Sequence, residues 1–141
     1  MLTNLIYTSK RNNNCNNQEI YKILEACNKN NSHKDITGVL LFSDSLFLQY
    51  LEGERKDIFE LYDKIKLDNR HNDAVMVGCR PIKERIFPDW SMGKKDIGQE
   101  GFEFISGDNF FEKKRLDSIL ENQDNEQLVS SIKKFFEARL Q

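Results

Sequence analysis

The sequence has few of the residues that build metal sites or disulfide frameworks, and no membrane-length apolar run. Its 141 residues include only three cysteines, two histidines and two prolines. The cysteines are odd in number, and no Cys-x-x-Cys pair or Cys/His group has metal-ligand spacing. No apolar run approaches the ~20 residues that a membrane-spanning helix requires. The sequence therefore predicts no metal site, no disulfide framework and no membrane span, and it favours a cytoplasmic protein with reduced thiols.

An excess of charge of one sign is also missing. The 21 basic and 23 acidic residues leave a formal net charge of -2, whereas a nucleic-acid-binding domain needs a clearly basic face. Neither a phosphate-cradling glycine motif nor a nucleophile elbow occurs. We therefore expect no nucleic-acid partner, no membrane partner and no enzymatic activity. What is present is a hydrophobic fraction of 38% with ten phenylalanines, enough for the core of one domain.

The hydrophobic pattern predicts alternating strands and helices. Strands are predicted at 3–9, 47–53 and 74–79 and, as a nearly all-apolar run, at 36–42. Apolar residues recur with the period of a helix after residues 16 and 53. Residues 87–93 are predicted as a fifth strand, with Pro88 confined to its start or to an edge. This β-α-β-β-α-β-β order predicts an α+β fold with a ferredoxin-like sheet and two helices on one face.

The C-terminal part of the chain differs in kind. Helical spacing is found at 116–120 and again at 128–140, too little for a separate core. We expect these two helices to cover the other face of the sheet. The predicted organisation is a domain at 1–96 and a helical extension at 97–141 that packs on the sheet or on another chain.

Residues 47–53 contain an amide in an otherwise apolar strand. Alternate side chains of a strand share a face, so Phe47, Gln49 and Leu51 point the same way. A buried glutamine has four hydrogen-bond sites to satisfy, and it can do so as a core residue bonded to neighbouring backbone or as a ligand contact. In the ferredoxin-like order the first and third strands are adjacent, so Tyr7 can approach Gln49. A phenol and an amide within hydrogen-bond reach can pass a proton and an electron to a redox-active ring.

Five sequence blocks occur in an order that resembles one family. They are LIYTS at 5–9, NN at 30–31 before DITG at 35–38, FLQYLEG at 47–53, DNRH at 68–71 and FPDWSMG at 87–93. Over about residues 2–93 the chain is similar to a BLUF domain. The resemblance implies a blue-light sensor that holds a flavin non-covalently, with FAD as the expected cofactor and FMN as the alternative.

The resemblance also implies roles for the residues at the photoactive centre. Tyr7 matches the donor of an electron and a proton to the light-excited flavin. Gln49 matches the amide between that tyrosine and flavin N5 and O4, whose hydrogen bonds rearrange. Trp90 and Met92 match the pair on the fifth strand that relays the signal, and which of the two lies beside Gln49 in the dark is left open.

Further residues match the cofactor-binding positions of the family. Ile23 and Ile65 match the aliphatic residues on either side of the ring, which agrees with their places on the apolar stripes of two helices. Asn30 and Asn31 match the asparagines at the pyrimidine edge. The residues expected near the ribityl and phosphate portion are Asp68, Arg70 and His71. The predicted cofactor-binding set is completed by Tyr7, Gln49 and Met92.

The residues after 96 show no catalytic motif, so the expected output is protein contact, through a homo-oligomer or an unidentified downstream protein. Two alternatives from other classes remain. One is a flavin-binding oxidoreductase on a ferredoxin-like fold, which would be reduced by NAD(P)H. The other is an interaction module of the same fold that holds no ligand, which would be colourless.

Overall fold

The computed structural model describes residues 1–22, 35–105 and 125–138. Five strands lie in these ranges: β1 (Leu2–Arg11), β2 (Thr37–Phe42), β3 (Leu46–Glu54), β4 (His71–Pro81) and β5 (Gly93–Asp96). Helix α1 begins at residue 17 and is described to residue 22. The other helices are α2 (Arg55–Lys66), α3 (Gly98–Ile105) and α4 (Asn125–Ala138).

The strands form one sheet in the order β4-β1-β3-β2-β5. β1 pairs antiparallel with β3 and β4, β2 pairs antiparallel with β3, and β5 runs parallel to β2. The predicted α+β fold with a ferredoxin-like sheet is confirmed, and β1 and β3 are neighbours at its centre. Among the described helices, none is both long and apolar enough to cross a membrane.

Each face of the sheet packs against its own pair of helices. The face that we call the Gln49 face contacts Ile20 of α1 and Ile58 and Tyr62 of α2. The opposite face, the Glu52 face, contacts Phe102 of α3 and Leu128 of α4. The Gln49 face carries Leu5, Tyr7, Leu40, Phe47, Gln49 and Leu51. The Glu52 face carries Ile6, Val39, Leu41, Leu48, Tyr50 and Glu52.

The prediction of a fifth strand at 87–93 is wrong. β5 begins at Gly93, and residues 86–92 form an irregular stretch that we call the pre-β5 segment. The Trp90 N–H donates to the Phe87 carbonyl at 3.3 Å, which makes a turn around Pro88, a residue that favours turns and cannot donate to a sheet. The Gly38 N–H donates to the Trp90 carbonyl at 2.9 Å. Trp90 and Met92 therefore lie before the last strand.

The helices of the C-terminal part also differ from the prediction. α4 agrees with the helical spacing at 128–140, but α3 was not predicted. Its eight residues contain Gly101, and the helix contributes Phe102, which is fully buried. Tertiary packing of one aromatic side chain stabilises such a short helix more than intrinsic propensity does. The predicted helix at 116–120 lies outside the described residues.

Candidate functional site

A tyrosine and a glutamine form a buried pair at the centre of the Gln49 face. Tyr7 and Gln49 are direct cross-strand partners in the β1–β3 ladder. The Tyr7 hydroxyl donates to Gln49 Oε1 at 2.5 Å, at the short end of the range for such bonds. Both side chains are almost completely buried. Among the described residues the amide is therefore bonded to side chains. A glutamine with a purely structural role was expected to bond to neighbouring backbone instead.

Met92, and not Trp90, lies beside the amide. Gln49 Nε2 donates to Met92 Sδ at 3.2 Å, and Met92 is buried. A thioether is a weak acceptor, so the amide N–H is held less firmly than Oε1. Trp90 is 39% exposed, and its ring packs edge-on against Phe136 with the centroids 5.1 Å apart. The two residues predicted to relay a signal thus point to different parts of the molecule.

Aromatic rings surround the pair on the side of α2 and β4. The centroid of the Tyr7 ring lies 5.5 Å from that of Tyr62 and 6.2 Å from that of His71. Phe47 contacts the same histidine edge-on. Burial raises the pKa of Tyr62, and the Asp63 charge adds to this effect. These residues give an apolar, aromatic surrounding in which the Tyr7–Gln49 bond is shielded from water.

Two buried polar atoms next to the pair have no partner within the described residues. His71 Nε2 lies 2.6 Å from the Ile65 carbonyl, so Nε2 carries the hydrogen and Nδ1 is left without a bond. Ser9 Oγ, two residues after Tyr7 on the same face, is in the same situation. Buried polar atoms are nearly always hydrogen-bonded. The site therefore fits a flavin, which combines a flat ring with hydroxyl and heteroatom partners for such groups.

An ion-pair cluster adjoins His71 in the chain. Arg70 donates to Glu19 Oε2 and to Asp68 Oδ2, each at 3.0 Å. The hydrogen bond from Arg70 holds the pKa of Glu19 below its ordinary value. Asp68 also accepts the Arg70 N–H at 2.9 Å. The predicted ribityl and phosphate contacts thus come together, but in this structure their charges are directed at one another. Glu19 was not predicted.

The sequence-predicted residues can now be placed. Ile23, Asn30 and Asn31 lie outside the described residues. Ile65 is partly buried and packs at the edge of the aromatic core. Within the described part of the chain no group of His, Cys, Asp and Glu could hold a metal ion. The predicted residues that meet on or beside the Gln49 face are Tyr7, Gln49, Ile65, Asp68, Arg70, His71 and Met92.

A second buried polar centre, on the Glu52 face, was missed. Glu52 is completely buried, and its carboxylate accepts four hydrogen bonds. One comes from the Tyr50 hydroxyl at 3.0 Å. Burial, reinforced by the Glu52 charge, raises the pKa of Tyr50 far above its ordinary value. Strand alternation could have revealed this centre, since it puts the carboxylate on the same buried face as Leu48 and Tyr50.

Comparison with known proteins agrees with this geometry. A family model described as "BLUF: Sensors of blue-light using FAD" matches residues 2–93. The photoactivated adenylate cyclase subunit beta of Euglena longa is 37% identical over 92 residues, which are 64% of this chain and 11% of that protein. The blue light- and temperature-regulated antirepressor BluF of Escherichia coli (strain K12) is 37% identical over 97 residues, 69% of this chain and 24% of that protein.

A solved structure is similar along nearly the whole chain. The photo-activated state of BlsA has a TM-score of 0.77 and 26% identity, with 95% of this chain and 94% of that chain covered. By contrast, the chain spans only about a tenth of the Euglena protein and about a quarter of the E. coli protein. The family model covers well over half of the chain and ends where β5 begins. The chain therefore belongs to the BLUF family, the sensors of blue light that use FAD.

Proposed function

We propose that this chain senses blue light through FAD bound on the Gln49 face, with Tyr7 and Gln49 as the photoactive pair. The observation that carries the proposal is the buried chain of hydrogen bonds from the Tyr7 hydroxyl through the Gln49 amide to Met92 Sδ. When bound and excited by blue light, a flavin supplies a strong one-electron oxidant. The other steps of the photochemistry are carried out by side chains on this face.

Tyr7 is the electron donor in this proposal. Its O–H points at Gln49 Oε1, so the phenol can release its proton along an existing hydrogen bond as the ring loses one electron. Tyr62 lies close by, but no bond joins it to the amide among the described residues. Electron and proton both return to Tyr7 when the charges recombine, so the cycle leaves no net oxidation.

Gln49 is the residue whose hydrogen bonds stay rearranged after the electron and proton have returned to Tyr7. Its amide has donors on one side and an acceptor on the other, so a rotation or a change of tautomer exchanges what it presents to Tyr7 and to the cofactor. The N–H to Met92 is easily given up because sulfur is a weak acceptor. A neutral hydrogen bond contributes about 1 kcal/mol net, which suits a state that reverts in the dark.

The remaining cofactor contacts are proposed from the sequence and from the unpartnered atoms. His71 Nδ1 is placed to accept from a hydroxyl, and Ser9 Oγ to bond to the same molecule. Arg70 and Asp68 would then exchange some of their mutual contact for the ribityl and phosphate portion. Ile23, Ile65, Asn30 and Asn31 remain predicted ring contacts. FAD is favoured over FMN because the family description specifies it.

The signal is proposed to leave through protein contact. We propose that residues 1–96 are the sensor and 97–141 the extension that meets a downstream protein or a second copy of this chain. Support comes from α4, whose Phe136 contacts Trp90 of the pre-β5 segment. The role of the chain is then sensing and not catalysis. The free thiols of Cys15 and Cys79 agree with a cytoplasmic location.

The test is an absorption spectrum in the dark and after blue light, with the parent, Tyr7→Phe and Gln49→Leu compared. The parent should be yellow, shift its bands to the red and recover in the dark. Both variants should lose the shift, whereas Tyr62→Phe, a neighbouring tyrosine, should keep it. A Gln49→Leu protein that cycles like the parent would contradict the mechanism. Steady reduction by NAD(P)H would favour the oxidoreductase, and chromatography of the released cofactor separates FAD from FMN.

A further inference from the structure

We propose that Glu52 is a positioning residue that anchors the start of the pre-β5 segment, so that movement of Met92 is passed to Phe136 of α4. The inference rests on the proposed function and adds a role for a side chain on the opposite face of the sheet. Glu52 lies three residues after Gln49 on β3, and an odd spacing on a strand puts the two side chains on opposite faces. It therefore acts on the signal without touching the photoactive pair.

The carboxylate binds two successive backbone N–H groups of the segment. The Ile86 N–H donates to Oε1 at 2.9 Å, and the Phe87 N–H donates to Oε2 at 2.7 Å. Each oxygen also accepts one hydroxyl, from Tyr50 on Oε1 and from Thr37 on Oε2. A carboxylate has about four acceptor sites, and all are used. Because backbone N–H groups can only donate, both need an acceptor, and the two carboxylate oxygens supply one each.

Arg85 adds two hydrogen bonds beside those of the Glu52 carboxylate. Its Nη1 donates to the Glu52 carbonyl at 3.0 Å and to Thr37 Oγ1 at 2.9 Å. The residue just before the segment is thus tied to β2 and β3 together. The start of the segment is held by hydrogen bonds in which one partner is a charged side chain, which are the stronger class.

The far end of the segment is held differently. Met92 contacts the Gln49 amide through sulfur, the weakest acceptor in the chain of bonds described above. Trp90 lies between the two ends, with its carbonyl bonded to Gly38 N–H at 2.9 Å. If Gln49 changes what it presents, Met92 is the residue free to respond, while Phe87 stays in place.

Phe136 contacts the start and the middle of the pre-β5 segment and also Gly93, which follows it. Its ring meets Phe87 edge-on at 5.8 Å and Trp90 edge-on at 5.1 Å. A methyl group added at Gly93 would lie 2.6 Å from Phe136 Cζ, so the ring also seats directly on the start of β5. Close-packed interiors transmit displacement instead of absorbing it. With Phe87 held by Glu52, a shift of Trp90 changes the space in which the Phe136 ring sits, and α4 must follow.

The sharpest variant is Glu52→Gln, and Tyr50→Phe is its matched control. Each carboxylate oxygen accepts one backbone N–H, so whichever way the new amide turns, its NH₂ faces a backbone donor. Tyr50→Phe removes the hydroxyl that donates to Glu52 Oε1 and leaves both backbone hydrogen bonds to the carboxylate in place. Arg85→Met, which loosens the anchor from outside, serves if Glu52→Gln does not fold.

The experiment uses the flavin-loaded chain in the dark and under blue light, with two measurements on each sample. One is the red shift of the absorption bands, and the other is hydrogen exchange of the α4 amides. We expect Glu52→Gln to keep the red shift while its light–dark difference in α4 exchange falls about fivefold, as loss of one hydrogen bond of the anchor implies. Tyr50→Phe should behave like the parent, and Arg85→Met should show a smaller loss.

Contrary outcomes can be told apart. A parent with no red shift would overturn the proposed function itself. If the parent has the red shift but no light–dark difference in α4, the coupling is wrong. The role of Glu52 is wrong if Glu52→Gln, or Arg85→Met in its place, keeps the full difference in α4. It is also wrong if Tyr50→Phe loses as much of that difference as Glu52→Gln.

Discussion

On each face of β3 a buried side chain of the strand accepts a hydrogen bond from a tyrosine, and the two pairs have opposite properties. On one face Tyr7 donates to the Gln49 amide at 2.5 Å, and on the other Tyr50 donates to the Glu52 carboxylate at 3.0 Å. The amide can both donate and accept, and its other partner among the described residues is a thioether. The carboxylate only accepts, and two of its four donors are backbone N–H groups.

The difference shows how one strand can hold a changeable side chain and an immobile one. Rearranging Gln49 exchanges neutral hydrogen bonds of about 1 kcal/mol each. Moving Glu52 would leave several buried donors unsatisfied, at about 1–3 kcal/mol for each. We infer that Gln49 is the switch, the side chain whose hydrogen bonds rearrange. Glu52 and the groups it binds are the frame, which stays in place during that rearrangement.

The largest effect is expected from a substitution that separates β2 from β3, because these strands carry residues of both faces. A methyl group at Gly38 would lie 1.9 Å from the Tyr50 carbonyl oxygen, which is backbone and cannot move aside. Gly38→Ala should therefore separate β2 from β3 and lower the free energy of unfolding by more than about 4 kcal/mol. Denaturant unfolding measures this change.

Gly98→Ala is the control for that substitution. Gly98 has a positive φ of 62° but no atom within 4 Å of an added methyl group. Only the backbone cost of about 1–2 kcal/mol should remain. Equal losses for the two variants would mean that the close approach of β2 and β3 does not matter.

The comparison is sharpened by making the same apolar replacement on each face. Glu52→Leu leaves two backbone N–H groups and two hydroxyls without their acceptor, and it should lower the free energy of unfolding by at least about 3 kcal/mol. Gln49→Leu deprives mainly the Tyr7 hydroxyl of its acceptor and should cost about 1–2 kcal/mol. Thermal or denaturant unfolding of the two variants checks the order, and a larger loss for Gln49→Leu would refute the assignment of frame and switch.

A smaller effect is expected from alkaline pH. The pKa of Tyr50 is raised far above the ordinary value of 10.0 by burial and by the Glu52 charge. Above about pH 10 the unfolded chain therefore releases the Tyr50 proton while the folded chain keeps it. Stability is full below that pH and falls as the pH rises, by about 1.4 kcal/mol per pH unit from this group. Tyr50→Phe should reduce the slope, measured by unfolding at several pH values, and an unchanged slope would count against a shielded Tyr50.

Much of the Gln49 face was predictable from local pattern. The period-two alternation of residues 3–9 and 47–53 fixes which side chains share a face, and the order of elements makes β1 and β3 neighbours. Tyr7 and Gln49 could therefore be paired before any coordinates were known. His71 was reached only through the family resemblance, although its Nδ1, which has no partner among the described residues, is a clear physical sign once the structure is seen.

What could not be predicted depends on contacts between distant parts of the chain. The true start of β5 follows from the bond between Gly38 and Trp90, which no local pattern shows. Trp90 packs against Phe136, which lies on a helix more than 40 residues away, while Met92 faces Gln49, and no local pattern shows this division. Strand alternation puts Glu52 on a buried face, but the two N–H groups that it binds come from a segment without regular structure, so its partners could not be predicted.

The most direct test of the account is a light-minus-dark infrared difference spectrum of the flavin-loaded protein, with isotope-labelled glutamine and with Glu52→Gln for comparison. We expect side-chain amide bands that respond to the label and vanish in Gln49→Leu. We expect the carboxyl region to be the same in the parent and in Glu52→Gln, because Glu52 stays fixed throughout the cycle. A light-induced carboxyl band that disappears in Glu52→Gln, or the lack of any glutamine band, would contradict the division between switch and frame.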